Sequence, residues 1–268
     1  MKFSFMTNTL ARFTVEETIE QLAAIGYQAC GPITGPGCHL DPAGMGDSRR
    51  REVLKYASDH NLAFSILNPW NVGNFVAGIA SGETERFYSE AIELAADVNA
   101  SGVRFLPGAY KDGERPGWQA MIQVLKPLCP RAEQAGVDLL MHNHENQLID
   151  TANGFALLRH HVGSERLKIN LDCANLVILM DDPLRAIRDF HSHIRHVRFK
   201  GMNDYYPVGQ QCVPGSDGDI VDWEAVVIHL KEIEFSGYIE LVPYDWFQSD
   251  YPETGFRWVS ELAHRVGV

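Results

Sequence analysis

Three stretches decide how this chain reads: VDLLMHNHEN (residues 137–146), LKINLDCAN (residues 167–175) and IRHVRFKG (residues 194–201). Each begins as a short apolar run of strand length and ends in ionisable or amide side chains. Alternate residues of an extended chain share a face. His142 and His144 therefore project together, as do Asn170 with Asp172, and His196 with Arg198 and Lys200. Burying so many polar groups is costly unless they are paired or in use. Parallel α/β folds place their working groups at the carboxyl ends of the strands. These residues fall there, and the pattern predicts an enzyme.

Outward from these stretches, a strand-then-helix rhythm runs along the whole chain. Candidate strands start near Lys2, Tyr27, Leu62, Val103, Val137, Leu167, Arg195 and Tyr238. Amphipathic helical patterns fill the gaps. Thr14 and Glu17 form a capping box ahead of an inner stripe of Val15, Ile19, Leu22 and Ala23. Phe87, Ala91, Leu94, Ala95 and Val98 make a second stripe, and Val227, Leu230 and Ile233 follow a cap at Asp222. Trp258, Leu262 and Val266 mark the last helix. Gly26, Gly102, Gly136 and Gly237 each stand where a helix ends and a strand begins.

Eight such units predict an α/β fold, a closed (β/α)8 TIM barrel forming a single domain over residues 1–268. A doubly wound open sheet is the rival, but no GxGxxG follows the first strand. The longer connections, residues 31–47, 69–81 and 201–219, follow strands, which puts the elaborate loops on the working face.

A length of 268 residues with 45% hydrophobic content suffices for one large core. The formal charge of -12 argues against nucleic acid as a partner, although an acidic protein can still hold a local basic pocket. Five scattered cysteines, Cys30, Cys38, Cys129, Cys173 and Cys212, contain no CxxC pair. They suggest neither a disulfide framework nor a cysteine zinc site, and they fit a reduced, cytoplasmic setting. MKFSFMTNTLARF at the start reads as a strand, not a signal peptide, and no run has the length of a membrane span. A homo-oligomer is compatible with the sequence.

The chain resembles the xylose-isomerase-like TIM barrels, the sugar phosphate isomerase/epimerase family. The resemblance is carried by GYQACG (residues 26–31), LAFSILNPWN (residues 62–71), GVDLLMHNH (residues 136–144), LKINLDCAN, HIRHVRFKG (residues 193–201) and GSDGDIVDWEAVVIHLKEIEFSGYIEL (residues 215–241). The last is the most specific. The resemblance implies one divalent metal held by Glu, Asp, His and Glu on the fifth to eighth strands. Matched position by position, those sites are His142, Asp172, Arg198 and Val242. Arginine brings a fixed positive charge and cannot ligate a metal, and valine has no donor. The expectation is therefore a weak or absent metal at His142 and Asp172, drawn from Mn, Zn, Co or Mg if one binds. His196 and Glu240 also point inward one layer deeper and would have to shift toward the mouth to rescue the site. Asn175 stands where many relatives have a further histidine.

The catalytic candidates are His142, Asp172 and Arg198. The substrate-binding candidates are Asn8, Trp70, His144, Glu145 and Lys200, with Asn71 beside Trp70. Bland readings stand next to these. His142 and His144 could be hydrogen-bonded core histidines, and Asp172 a structural ion-pair partner of Arg198. Glu145 could be solvated, and Trp70 could be packing. His160, His161 and His193 read as surface residues. The leading function is an isomerase or epimerase acting on a sugar or polyol by proton transfer next to a carbonyl. His142 or Glu145 would be the base, with Arg198 and Lys200 supplying positive charge. A keto-sugar or inositol lyase (dehydratase) is the enzymatic alternative. A non-catalytic sugar-binding barrel or subunit is the other. A multi-metal DNA-repair endonuclease shares the fold, but the acidic charge and missing ligands speak against it.

Overall fold

The fold is that of a computed structural model describing residues 1–70, 78–79, 81–106, 108, 114–244 and 249–268. Eight parallel strands share one sheet: β1 (Lys2–Met6), β2 (Ala29–Gly31), β3 (Ala63–Phe64), β4 (Gly102–Phe105), β5 (Asp138–His142), β6 (Leu167–Asp172), β7 (Ile194–Phe199) and β8 (Tyr238–Leu241). Neighbours follow chain order, and β8 returns to pair with β1 from Lys2↔Tyr238 to Phe5↔Leu241. Between β3 and β4 the ring is completed by a bridge at Leu67↔Val103. There Leu67 N donates to Gly102 O and Arg104 N to Leu67 O, both at 2.9 Å. Closure leaves the sheet no free edge. The eight predicted strands and the TIM barrel are thus observed.

The helices that cover the barrel include α1 (Val15–Ile25), α2 (Asp47–Asp59), α3 (Glu83–Asp97), α4 (Glu114–Ala135), α5 (Ala152–Val162), α6 (Cys173–Ile178), α7 (Pro183–Asp189), α8 (Trp223–Glu232) and α9 (Tyr251–Arg265). Local chemistry explains where they begin. Glu17 N donates to Thr14 Oγ1 at 3.2 Å while Thr14 N donates to the Glu17 carboxylate at 2.8 Å, closing the predicted capping box. Asp222 caps α8 by accepting from Ala225 N at 2.9 Å. Among the described residues, no helix is long and apolar enough to cross a membrane.

Strand alternation separates two environments. Phe5, Phe64, Phe105, Leu139, Leu171, Val197, Phe199 and Ile239 point outward into one apolar cluster beneath the helices. Burying each is worth about 1.5–3 kcal/mol. Their neighbours Ser4, Arg104, Asn170, His196, Arg198 and Glu240 are buried as well, inside the ring. The polar interior is therefore set by the same period of two that builds the core.

The four helix-exit glycines divide into two kinds. Gly26 and Gly136 have φ of +113° and +71°, the left-handed turn expected of a cap. Gly102 and Gly237 instead open strands. A Cβ at Gly102 would strike the Asp138 carbonyl, and one at Gly237 the Arg195 carbonyl, so glycine is needed there for close strand approach. The left-handed turns near those two exits are taken by Asn99 and Glu234.

The Gly/Asp-rich segment has a concrete job. After β7 the chain makes a short antiparallel pair, Gly201–Met202 with Gln211–Cys212. The Asp219 carboxylate then accepts from Met202 N (3.1 Å), Gly215 N (2.8 Å), Val221 N (3.1 Å) and Trp223 Nε1 (2.7 Å). One side chain ties the hairpin to the start of α8. Asp219→Ala is expected to cost about 2–4 kcal/mol, since hydrogen bonds to a charged acceptor are worth roughly 1.5–3 kcal/mol each and water replaces some of them. Urea unfolding checks this through a lower midpoint at unchanged slope.

Candidate active site

Register brings the strand ends together. Asp172 lies opposite Arg198, His142 opposite Asn170, and Arg198 opposite Glu240. Three groups from neighbouring strands converge on Asp172 Oδ2: His142 Nε2 at 3.3 Å, Lys200 Nζ at 3.4 Å and Arg198 Nε at 3.9 Å. The four residues are at most 3% exposed.

Asp172 is held by more than its partners. Its backbone N donates to Asn143 Oδ1 and its carbonyl accepts from Asn143 Nδ2, both at 2.9 Å. Its Oδ1 caps α6 by accepting from Asn175 N at 3.0 Å. Asn175 Nδ2 donates to Asn143 O at 2.8 Å, and Asn175 Oδ1 accepts from Lys200 Nζ at 2.5 Å. With Oδ1 committed to the helix, Oδ2 is free to serve the three cationic or imidazole groups.

Arg198 reaches downward as well. Its Nη1 donates to Glu240 Oε2 at 3.3 Å and to Asn68 Oδ1 at 3.2 Å, and Nη2 to Met6 Sδ at 2.9 Å. Its Nε makes no hydrogen bond. The ion-pair partner of Arg198 is thus chiefly Glu240, with Asp172 a more distant second. Glu240 has room because Gly31 lacks a Cβ, which would overlap Glu240 Oε1. Deeper still, His196 Nδ1 donates to Asn170 Oδ1 at 2.9 Å, and its Nε2 lies 3.7 Å from Glu240 Oε1.

The electrostatics follow from burial among fixed cations. Desolvation, then Arg198 and Arg104, hold the His142 and His196 imidazoles well below the usual histidine range, so both are neutral near pH 7. A carboxylate only accepts, so His142 Nε2 carries the proton toward Asp172. His142 Nδ1 is left with its lone pair and no hydrogen-bond partner. Burial opposes the charge of Lys200, but Asp172, Tyr244 and Glu145 outweigh it and raise its pKa. Desolvation pushes Glu240 up to about 7 despite Arg198 and Arg104.

The mouth holds two further candidates. His144 and Glu145 are half-buried and paired, with Nδ1 2.9 Å from Oε2. The His144 ring stands edge-on to that of His142 at 5.5 Å. Burial works against the Glu145 charge, yet the hydrogen bond from His144 and the charge of Lys200 bring its pKa below normal. Glu145 lines a cavity of about 500 Å³ with Ile178, Met202, Tyr206, Gln210 and Gln211. Tyr206 OH donates to Asn146 Oδ1 at 2.8 Å across the same space.

The remaining candidates lie apart from this group. Asn8 sits in the 3-10 turn Thr7–Leu10 after β1 and donates from Nδ2 to Pro243 O at 3.0 Å, joining the ends of β1 and β8. Trp70 is 38% exposed, unlike the buried group. Asn71 lies outside the described residues. His160 and His161 are exposed as expected, and His193 is half-buried. Several residues escaped the sequence reading. Asn68 binds the Arg198 guanidinium, Asn143 binds the Asp172 backbone, and Tyr244 hydrogen-bonds Lys200. Arg104 also points inward, and a signal for it existed, since it alternates with apolar Val103 and Phe105.

The donor set does not suit Mn, Zn, Co or Mg at His142 and Asp172. A divalent ion there would face the Lys200 ammonium and the Arg198 guanidinium around the same oxygen. Val242 is packed with Met6 and Ile33 and has no donor. Among the described residues, no three His, Cys, Asp or Glu side chains are grouped to hold a metal.

Residues 19–262 match the family model described as xylose isomerase-like TIM barrel. The chain is 25% identical over 232 residues to the uncharacterized protein YfiH of Bacillus subtilis (strain 168), covering 75% of this chain and 73% of YfiH. It is 22% identical over 246 residues to the inosose dehydratase of Lacticaseibacillus casei, covering 84% of this chain and 80% of the dehydratase. Among solved structures, the apo form of the 3-keto-D-glucoside 4-epimerase YcjR from E. coli superposes with a TM-score of 0.80 at 14% identity, covering 98% of this chain and 99% of YcjR. That likeness is one of fold.

Two measurements test the site. Elemental analysis of protein purified without chelator is expected to give well below one equivalent of Mn, Zn, Co or Mg per chain, and a stoichiometric ion would overturn the charge argument. The second concerns Glu240, whose raised pKa means that the folded state binds the proton more tightly than the unfolded chain. Stability from this group is full below the ordinary value of 4.5 and is lost as pH rises to about 7. Wild type should therefore lose stability relative to Glu240→Gln across that window, measured by thermal unfolding at successive pH values. Parallel curves would refute the assignment.

Proposed function

The chain belongs to the xylose isomerase-like TIM barrel family, and on that premise we propose that it is an isomerase or epimerase that moves a proton next to the carbonyl of a carbohydrate-like substrate. The observation carrying this reading is the convergence of His142, Lys200 and Arg198 on one oxygen of Asp172. His142 is neutral and oriented by Asp172, with Nδ1 unpartnered, which is the arrangement of a general base. It takes the proton from the carbon beside the carbonyl. As the enediolate forms, its oxygen gains negative charge next to Lys200 and Arg198, which supply fixed positive charge without solvent rearrangement. The imidazolium, steadied by Asp172, returns the proton to the neighbouring carbon to give an isomer; epimerisation instead needs a proton delivered to the opposite face of the same carbon by a second group, for which Glu145 at the mouth is the candidate.

A dehydratase shares the first step and differs in the second, where the enediolate expels a hydroxyl instead of being reprotonated. The similarity to inosose dehydratase favours keeping this as the second reading. Carbohydrate-like small molecules are the proposed partners, and five free cysteines suit the proposed cytoplasmic setting.

Incubating a panel of ketoses and inososes in deuterated buffer separates the readings. Deuterium in recovered substrate or in an isomer is expected for an isomerase or epimerase. Loss of water marks a dehydratase. Neither outcome across the panel, with thermal stabilisation by a sugar, would indicate a binding barrel. His142→Ala should lower turnover by roughly 10²–10⁴-fold with an unchanged circular dichroism spectrum, and unaltered turnover would remove His142 from the mechanism.

A further inference from the structure

Among the described residues, the barrel interior holds one cation that this chemistry does not use. Arg104 projects inward from β4 and is 5% exposed. Its Nη2 donates to Pro69 O at 2.8 Å, which carries the guanidinium toward the mouth end of the ring. Its Nε has no hydrogen-bond partner. Neither buried carboxylate pairs with it. Asp172 is taken by His142, Arg198 and Lys200, and Glu240 by Arg198 and the Asn68 amide.

Charge counting sharpens the point. Among the described residues, Lys200 draws on Asp172 and Glu145 and Arg198 on Glu240, which leaves Arg104 without a carboxylate in direct ion-pair contact at a site shielded from water. Leaving a charge buried without a counterion is strongly unfavourable. Desolvation and repulsion from Arg198 bring the Arg104 pKa down to about 9 against the more distant pull of Glu240, Tyr88 and Asp172, so it is still protonated at neutral pH with no carboxylate of the described residues in contact. Arg198 Nε, also without an acceptor, provides a second orphaned donor from a guanidinium whose charge Arg104 feels.

We propose that Arg104, together with the unpartnered Nε–H of Arg198, binds a carboxylate on the substrate, so that the substrate is a sugar acid and not a neutral ketose. This rests on the reading of a carbohydrate-like substrate given above and narrows it. A carboxylate is favoured over a phosphate for two reasons. One guanidinium without a contacting carboxylate calls for one negative charge, whereas a phosphate dianion brings two. The planar guanidinium fork also matches the two oxygens of a carboxylate.

Isothermal titration calorimetry with 2-keto-D-gluconate, D-glucuronate, D-fructose, D-glucose and D-fructose 6-phosphate tests this without requiring turnover. At least one sugar acid is expected to bind about tenfold or more tighter than its neutral counterpart, a gap of about 1.4 kcal/mol. Arg104→Gln should erase that preference, and Arg104→Lys should keep part of it. Should Arg104→Gln fail to fold, a smaller preference in Arg104→Lys than in wild type decides the matter. Equal affinity for acid and neutral sugar, no binding of either acid, or a preference that survives in Arg104→Gln would overturn the proposal. Tighter binding of fructose 6-phosphate than of both acids would overturn it in favour of a phosphate. A deuterium-exchange assay with the same acids separates the two ideas, because an acid can bind at Arg104 whether or not its protons are exchanged.

Discussion

Everything in the barrel mouth depends on keeping the Asp172 carboxylate charged and immobile while fully buried. Removing one partner from a buried charge cluster typically costs about 3–5 kcal/mol, because the others are left without compensation. Here the carboxylate is fixed from both sides. Asn143 grips the backbone of Asp172 through both amide atoms, and Asn175 N takes one carboxylate oxygen into the start of α6. The other oxygen is then positioned by the fold itself.

That arrangement exchanges one kind of positive charge for another. A divalent ion is compact, removable and indifferent to direction. A guanidinium and an ammonium are tethered and directional, and the guanidinium stays charged across the physiological range. Their influence spreads through the interior. Burial near Arg198 and Arg104 keeps His142 and His196 neutral, and the neutral form is the one able to accept a proton. The same interior raises Glu240, since desolvation of its carboxyl exceeds the help it gets from the arginines.

The architecture was legible because it is written in local signals. Alternating strands, the Thr14–Glu17 box and the Asp222 cap each depend on residues within a few positions of one another. The convergence of His142, Asp172, Arg198 and Lys200 was legible for a related reason, as the barrel places adjacent strand ends side by side. What stayed hidden depends on distant pairs. That Arg198 leans on Glu240 follows from the space at Gly31. That Gly102 and Gly237 serve strand packing and not helix termination follows from carbonyls of neighbouring strands. Arg104 was visible as an inward residue, but that no described carboxylate touches it is a property of the whole interior.

Gly31 has a consequence of its own. Any methyl group at this position would collide with Glu240 Oε1 and come within 2.6 Å of Asn68 Nδ2, the two side chains to which Arg198 Nη1 donates. An alanine there would act through a neighbour's neighbour, evicting an acid on one stave and stranding a base on the next. The smallest residue in the ring thus exercises a steric veto over the Arg198 guanidinium by way of Glu240 and Asn68.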